Sequence, residues 1–388
     1  MRFIHTADWQ IGKPFARVTD SSKRTRLQDE RFGAIERVGE LARERDAAFV
    51  VVAGDLFDAP TVPSATVSRA LSAIGGIEVP VYVIPGNHDH SGTGGVWSQP
   101  YFRREHESLA PNLHVLTTPE PLVRDDAVLL PCPLARRQAS DDPTAWISHL
   151  EDAWGTFGTR SRIVVAHGSV HGFVTEPADD EDDLYGSAPN RLHLERLPDN
   201  EIDYIALGDW HGTKQVGSNA WYSGAHEQDR FARGEAYSSG NALVVSVERG
   251  QAPHVETVRT GRMGWHALEH DLVDDTGVER LAERVSGLIG TRVDLDLLEL
   301  KLTGAVGFAA RDRLEQHLET WRNRLIRVKL DDQVRYAPSG EEVEALTRRS
   351  DDPLISQVAA ALVEDTAGEG DDAEIARRAL RELHRLVG

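Results

Sequence analysis

Residues 47–58 read AAFVVVAGDLFD, and the step inside this stretch decides the fold. An apolar, β-branched run, Phe49 to Val52, gives way to a glycine and then to two carboxylates, Asp55 and Asp58. A short run without polar alternation reads as a strand buried on both faces, the kind found in parallel sheets covered by helices. The same step recurs along the chain. RFIHTA (2–7) ends at Asp8, VPVYVIP (79–85) at Asn87, SRIVVAH (161–167) on His167 and IDYIALG (202–208) at Asp209. Helix-like segments lie between, over about 22–45 and over VPSATVSRALSAI (62–74), which is entered through a proline. This alternation predicts a layered α/β fold. There, strand ends open onto one crevice and residues distant in sequence meet.

Working outward, HVLTT (114–118) and PLVRDDAVLLP (121–131) read as paired strands, and GNALVVSVE (240–248) and HVETVRT (254–260) as edge or return strands. After Gly261 the pattern changes. LLELKLTG (297–304), the amphipathic ARDRLEQHLETWRNRL (310–325) and IRVKL (326–330) suggest a small βαβ-like unit. From Pro338 the chain is polar and helical, broken by EDTAGEGDD (364–372). The expected organisation is a catalytic domain over 1–262, a small α+β capping domain over 263–336 and a C-terminal helical region over 337–388. The segment EPADDEDDL (176–184) reads as a solvated charged loop, with calcium binding as the rarer alternative.

With 388 residues, 40% hydrophobic and 27% charged, the chain has the composition of a soluble globular protein with room for more than one domain. No apolar run approaches the ~20 residues of a membrane span, and MRFIHTADWQ does not resemble a secretory signal. The single cysteine, Cys132 in LLPCPL, excludes an intramolecular disulfide and reads as a core residue. These features fit the cytoplasm. A net charge of −20 opposes binding of a polyanion. Local basic stretches soften that objection: Arg17, Lys23, Arg24, Arg26 and Arg31, then Arg103 with Arg104, and Arg136 with Arg137.

The strand-end residues have one chemistry in common. Hard divalent cations take carboxylate and amide oxygens, and imidazole suits transition metals. A two-ion centre for displacement at phosphorus needs a shared carboxylate and separate ligands for each ion. Asp8 in HTADWQ, Asp55 in AGDLFD, Asn87 in PGNHD, His167 in AHG and His211 in GDWHG supply such a set, most of them beside glycines. Each piece alone is weak. Their joint occurrence at successive strand ends is a strong signal.

In order, these motifs resemble the calcineurin-like metallophosphoesterase superfamily. Within it, HTADWQIGKPF, GDLFD and the βαβ-like tail are similar to the SbcD-type DNA repair nucleases. The resemblance covers residues 1–260 well and 265–335 loosely, and implies a layered β-sandwich flanked by helices. It implies two divalent ions and these roles: Asp55 bridging, Asp8 and His211 on the first ion, Asn87 and His167 on the second. His88 would act as acid or transition-state stabiliser, oriented by Asp58, while activated water attacks phosphorus in line.

Two positions depart from the family pattern. Gln10 stands where the first motif has histidine, and Asp209 where the last motif has its first histidine. Both are retained as expected ligands. The oxygen-rich set favours Mn²⁺, with Mg²⁺ next, over zinc. Trp9 and Trp210 either stack on a base or pack beneath the site. His226, Arg230 and Arg233 either contact phosphate or belong to a surface loop. His5 and His171 read as a strand residue and a loop residue.

The expected function is metal-dependent cutting of DNA in repair or end processing. A partner resembling the SbcC-type ATPase would dock on the apolar stripe of DPLISQVAAALV (352–363), and a homodimer is a further expectation. Two alternatives stand beside it: a phosphoesterase for small nucleotides, and a weakened site that only binds DNA or a partner.

Overall fold

A computed structural model describes residues 1–170, 190–232, 237–366 and 370–387. The chain divides into two compact units, Met1–Met263 and Gly264–Gly388.

In the first unit the buried runs become the central strands of two six-stranded sheets. One sheet carries β1 (Arg2–Thr6), β2 (Val50–Val52), β3 (Val81–Val83) and β4 (Leu113–Val115), all parallel. The other carries β5 (Leu122–Val123), β6 (Ala127–Cys132), β7 (Ser161–His167), β10 (Tyr204–Gly208), β11 (Lys214–Gln215) and β12 (Ala220–Tyr222). A two-stranded pair, β8 (Ser169–Val170) and β9 (Arg191–Leu192), stands apart. β13 (Asn241–Ser246) returns antiparallel beside β1, and β14 (His254–Arg259) closes that edge of the first sheet. In the second sheet β6, β7, β10 and β12 are parallel, with antiparallel edges β5 and β11.

Strand alternation assigns the layers. Phe3, Val51, Tyr82 and Val245 face Leu129, Ile163, Val165 and Tyr204 in the core between the sheets. The opposite face, Ile4, Val50, Val52, Val81 and Val83, packs on helices α1 (Ser21–Glu44) and α2 (Ser64–Gly75). α1 starts at Asp20, whose carboxylate accepts from the Ser22 and Lys23 amides at 2.8 and 3.1 Å. Its buried positions Leu27, Ala34, Ile35, Val38, Leu41 and Ala42 follow helical spacing. Beyond the second sheet, Val128, Leu130, Val164 and Leu207 are covered by Ile147, Phe157, Leu192 and Leu197 from short turns. Cys132 is buried there, and burial pushes its thiol up to about 12. The fold is thus mixed α/β with two stacked sheets, as the sequence predicts.

One pairing differs from expectation. HVLTT joins β3 at the end of the first sheet, whereas PLVRDDAVLLP folds on itself as the β5–β6 hairpin of the second. An apolar pattern identifies a strand without saying which sheet it enters.

The second unit is a parallel sheet ordered β15 (Gly264–Leu272), β16 (Asp296–Val306), β17 (Arg327–Asp332). Helices α4 (Gly277–Ile289) and α5 (Phe308–Arg324) connect these strands, and β18 (Arg335–Tyr336) extends beside β16. Leu281, Val285, Leu298, Leu300, Leu314 and Trp321 form its core. Helices α6 (Gly340–Thr347), α7 (Pro353–Asp365) and α8 (Asp371–Val387) gather around Phe308 through Leu346, Ala359 and Leu380. The α7 stripe is thereby partly used within the chain, leaving Leu354 and Val358 exposed. Among the described residues no helix is long and apolar enough to cross a membrane.

Candidate metal centre

The parallel strands of both sheets end in turns that bear the expected ligands. β1, β2 and β3 run into Asp8, Asp55 and Asn87, while β7 ends on His167 and β10 is followed by Asp209. Asp8, Gln10, Asp55 and Asp209 have φ of +54, +38, +54 and +99°. For a residue with a Cβ this region costs about 1–2 kcal/mol, and such strain concentrates at functional sites. Backbone bonds between the two acidic loops hold the turns: Asp8 donates to Gly54, Gln10 to Asp55 and Asp58 to Ile11, at 2.9–3.1 Å. Glycine is required at two of these places. A Cβ on Gly54 would lie 2.2 Å from His167 Nδ1, and one on Gly86 would lie 2.2 Å from Asp55 Oδ1.

The ligand atoms of Asp8, Asp55 and His167 lie within 4.8 Å of one another, and all three side chains are buried. His167 Nδ1 donates to the Ala53 carbonyl at 2.8 Å, so Nε2 is the end that faces the site. It meets Asn87 Oδ1 at 2.7 Å, Asp55 Oδ2 at 3.4 Å and Asp209 Oδ1 at 3.8 Å. In the neutral ring Nε2 is an acceptor facing three acceptors, an arrangement that a cation resolves. Titration tells the same story. Burial opposes charge on His167, but Asp55, Asp8 and Asp209 outweigh it and raise the imidazole well above its usual range. Burial, with the neighbouring carboxylates, pushes Asp8 up to about 7, and Asp209 is also raised. Asp55 is held below the usual carboxylate range; burial works against this, but His167 and His88 prevail. Asp8, Asp55, Asn87, His167 and Asp209 therefore fit a divalent cation.

His88 stands beside this cluster. Its backbone N–H donates to Asp55 Oδ1 at 2.9 Å, and its Nε2 lies 4.0 Å from Asp55 Oδ2. Asp58 holds the ring through its main-chain carbonyl, which accepts from Nδ1 at 2.8 Å. Burial disfavours charge on His88, yet Asp55 and Asp58 raise it above the ordinary imidazole value. The sequence reading assigned no role to Asp89, the last residue of PGNHD. Its buried carboxylate accepts from the Gly86 and Phe57 amides at 2.7 and 3.0 Å, locking the Asn87 turn to the Asp55 turn.

Gln10 and His211, also expected around the first ion, have basic neighbours. Gln10 Oε1 accepts from Lys13 Nζ at 3.1 Å, and that ammonium also pairs with Asp229 Oδ2 at 3.0 Å. His211 Nδ1 lies 3.0 Å from the same Asp229 oxygen, and Arg230 Nη2 lies 2.6 Å from Nδ1 and 3.4 Å from Nε2. Asp229 can only accept, so His211 Nδ1 donates to it and Nε2 keeps its lone pair. Burial and Arg230 push this ring down to about 4, so it is neutral at physiological pH. Asp8, Asp55 and His167 form the group whose ligand atoms lie within 4.8 Å of one another, and His211 stands beside Asp229 and Arg230.

Several neighbours resolve on the packing side. Trp9 is buried, donates to Thr6 Oγ1 at 3.0 Å and stacks on His226, 5.3 Å between ring centres. His226 is fully buried rather than on a surface loop, and its Nε2 bonds the Arg31 carbonyl at 2.8 Å. Arg31, read as part of a basic stretch, is buried too. It donates to the Trp9 and Asp8 carbonyls at 2.8 and 3.1 Å, bracing the first acidic loop. His5 bridges the sheets between Tyr204 Oη and the Leu207 carbonyl. His171, Arg233 and the segment 176–184 lie outside the described residues.

The chain is similar to known proteins at the level of a family and of two solved structures. The family model for calcineurin-like phosphoesterases matches residues 1–213. A solved structure from Thermus thermophilus, of the protein TT1561, is 14% identical. That match covers 67% of this chain and 98% of the other, with a TM-score of 0.37. Another crystal structure is 11% identical over 66% of this chain and 98% of the other, with a TM-score of 0.38. The family model spans more than half of the sequence and takes in every turn of the candidate centre, so the chain belongs to the calcineurin-like phosphoesterase family.

Proposed function

We propose that this protein is a metal-dependent phosphodiesterase that cuts DNA, working with Mn²⁺ in preference to Mg²⁺. The observation that carries the phosphodiester chemistry is the meeting of Asp8, Asp55, Asn87, His167 and Asp209 around the His167 Nε2 lone pair, with His88 at the edge. A divalent cation held there supplies a Lewis acid for a phosphoryl oxygen and a water of lowered pKa. The protein's own residues supply the rest. His88, fixed through Nδ1, presents Nε2 to donate a proton to the leaving oxygen or a hydrogen bond to the phosphoryl group. Buried Asp89 and Arg31 hold the loops that set these distances.

The choice of DNA rests on the resemblance of HTADWQIGKPF and of the appended second unit to the DNA repair nucleases. Supporting the docking of an ATPase partner on the C-terminal helices, Leu354 and Val358 of α7 and Ile375 of α8 are exposed. The division of the second unit into a capping part and a helical part, the homodimer and a cytoplasmic location belong to the same reading. The net charge of −20 favours the second reading, a phosphoesterase for small nucleotides. One experiment separates them. Linear duplex and single-stranded DNA, and separately a cyclic dinucleotide and a mononucleotide, are incubated with the chain and Mn²⁺, with and without chelator. DNA should be shortened only with metal. Intact DNA alongside turnover of a small nucleotide would replace the reading with the second.

A further inference from the structure

We propose that the second unit carries a pocket for an oligophosphate, either free or as the phosphate chain of a nucleotide. A cavity of about 680 Å³ is lined by residues of α5, of α8 and of the turn from β17 into β18. Small-ligand sites commonly span roughly 300–1,000 Å³. Five of the lining side chains are arginines: Arg311, Arg335, Arg377, Arg378 and Arg381. Two carboxylates, Asp332 and Glu382, line the cavity with them. In a chain of net charge −20, such a gathering of guanidinia runs against the overall composition. A guanidinium matches phosphate oxygens as a fork of two parallel hydrogen bonds. None of these residues belongs to the metal centre, so the inference stands apart from the function proposed above.

The spacing on α8 is unfavourable without an anion. Arg377 and Arg381 stand four residues apart on that helix, and Arg378 and Arg381 three apart, separations at which like charges repel. Carboxylates of the chain take up part of this charge. Arg311 pairs with Asp332 and, at 2.8 Å, with Glu315, while Arg381 lies 3.2 Å from Asp312. Two donors are left over. Arg335 is exposed, and its side chain has no partner among the described residues. Arg381 Nε is buried without an acceptor, a state that native proteins rarely keep unless a ligand or water completes it. Tyr336, the one aromatic side chain of the lining, narrows the ligand further. Arg311 and Arg381 stand over its ring, 5.9 and 5.6 Å from the centre, and its hydroxyl accepts from Arg381 at 2.9 Å. A ring so occupied is a poor stacking face for a base. Recognition therefore falls on the phosphate chain, whose adjacent charges engage several guanidinia at once.

The test is isothermal titration calorimetry on the full chain, stripped of metal and dialysed free of chelator, with tripolyphosphate, ATP, adenosine and citrate as probes. The expected result is one tripolyphosphate per chain. In Arg335→Ala/Arg378→Ala the affinity should fall by at least about tenfold, the loss of one charge-assisted hydrogen bond. Both side chains are exposed, so the fold should be kept, and Arg335→Ala alone serves as the second variant. Arg103→Ala/Arg104→Ala removes the same charge from exposed positions outside the pocket and should bind as the wild type does. Binding of ATP but not adenosine assigns the pocket to the phosphate chain of a nucleotide; tripolyphosphate binding without ATP binding assigns it to a free oligophosphate. Absence of saturable binding overturns the proposal, as does unchanged affinity in the folded pocket variants or an equal loss in the control. Citrate bound as tightly as tripolyphosphate overturns the assignment to phosphate.

Discussion

His88 is fixed at two points: its backbone N–H reaches Asp55 and its Nδ1 reaches the Asp58 carbonyl. Neither contact requires metal, so the ring is a tool placed beside the centre rather than part of its cage. His88→Ala should therefore leave bound Mn²⁺ unchanged while turnover of a phosphodiester falls by roughly two to four orders of magnitude. An unaltered rate would remove its assigned role. Another histidine makes a pH-dependent contribution. Burial pushes His5 down to about 3 from an ordinary value of 6.5. The unfolded chain binds that proton below pH 6.5 and the folded chain does not until about pH 3. Stability from this group is thus complete above pH 6.5 and declines as pH falls through that window. At pH 5 the loss is about 2 kcal/mol for one such ring, at 1.36 kcal/mol per pH unit. Melting temperature should drop between pH 7.5 and 5, and His5→Gln should flatten that slope.

Elements place these residues by where they end. The two sheets direct the C-terminal ends of β1, β2, β3, β7 and β10 toward the centre, so short loops carry the ligands while the strands stay rigid. Helix α1 contributes from behind: Arg31, on its buried face, reaches the Asp8 and Trp9 carbonyls. Its start is fixed by Asp20, whose carboxylate caps two amides. Asp20→Ala should cost about 1 kcal/mol of stability. Because this cap is remote from the ligands, metal affinity should hold when measured by titration below the melting transition.

For the whole molecule, the two units have separate hydrophobic cores. Residues 1–263 contain the complete ligand set and two stacked sheets. A chain cut after Met263 should fold, bind Mn²⁺ and hydrolyse a chromogenic phosphodiester at a rate within about tenfold of the full chain, a free-energy change under ~1.4 kcal/mol. It should lose most of its cutting of long DNA. Retention of full DNA cutting would show that the second unit serves something else.

Much of this was legible in the residues themselves. Apolar runs that stop at Asp8, Asp55, Asn87, His167 and Asp209 specify buried parallel strands with ligands at their ends, because hydrophobic burial and turn chemistry are local properties of the chain. Sheet membership was not legible. HVLTT and PLVRDDAVLLP carry the same strand signal, and only packing sends them to different sheets. Nor were the partners of His211 and Gln10. Both look like ligands in a one-dimensional pattern, yet Lys13, Asp229 and Arg230 converge on them. By itself the sequence determined which side chains could bind a cation. Only the tertiary structure decided which of them meet, bringing Asp8, Asp55 and His167 within 4.8 Å of one another, since that depends on how the two sheets stack.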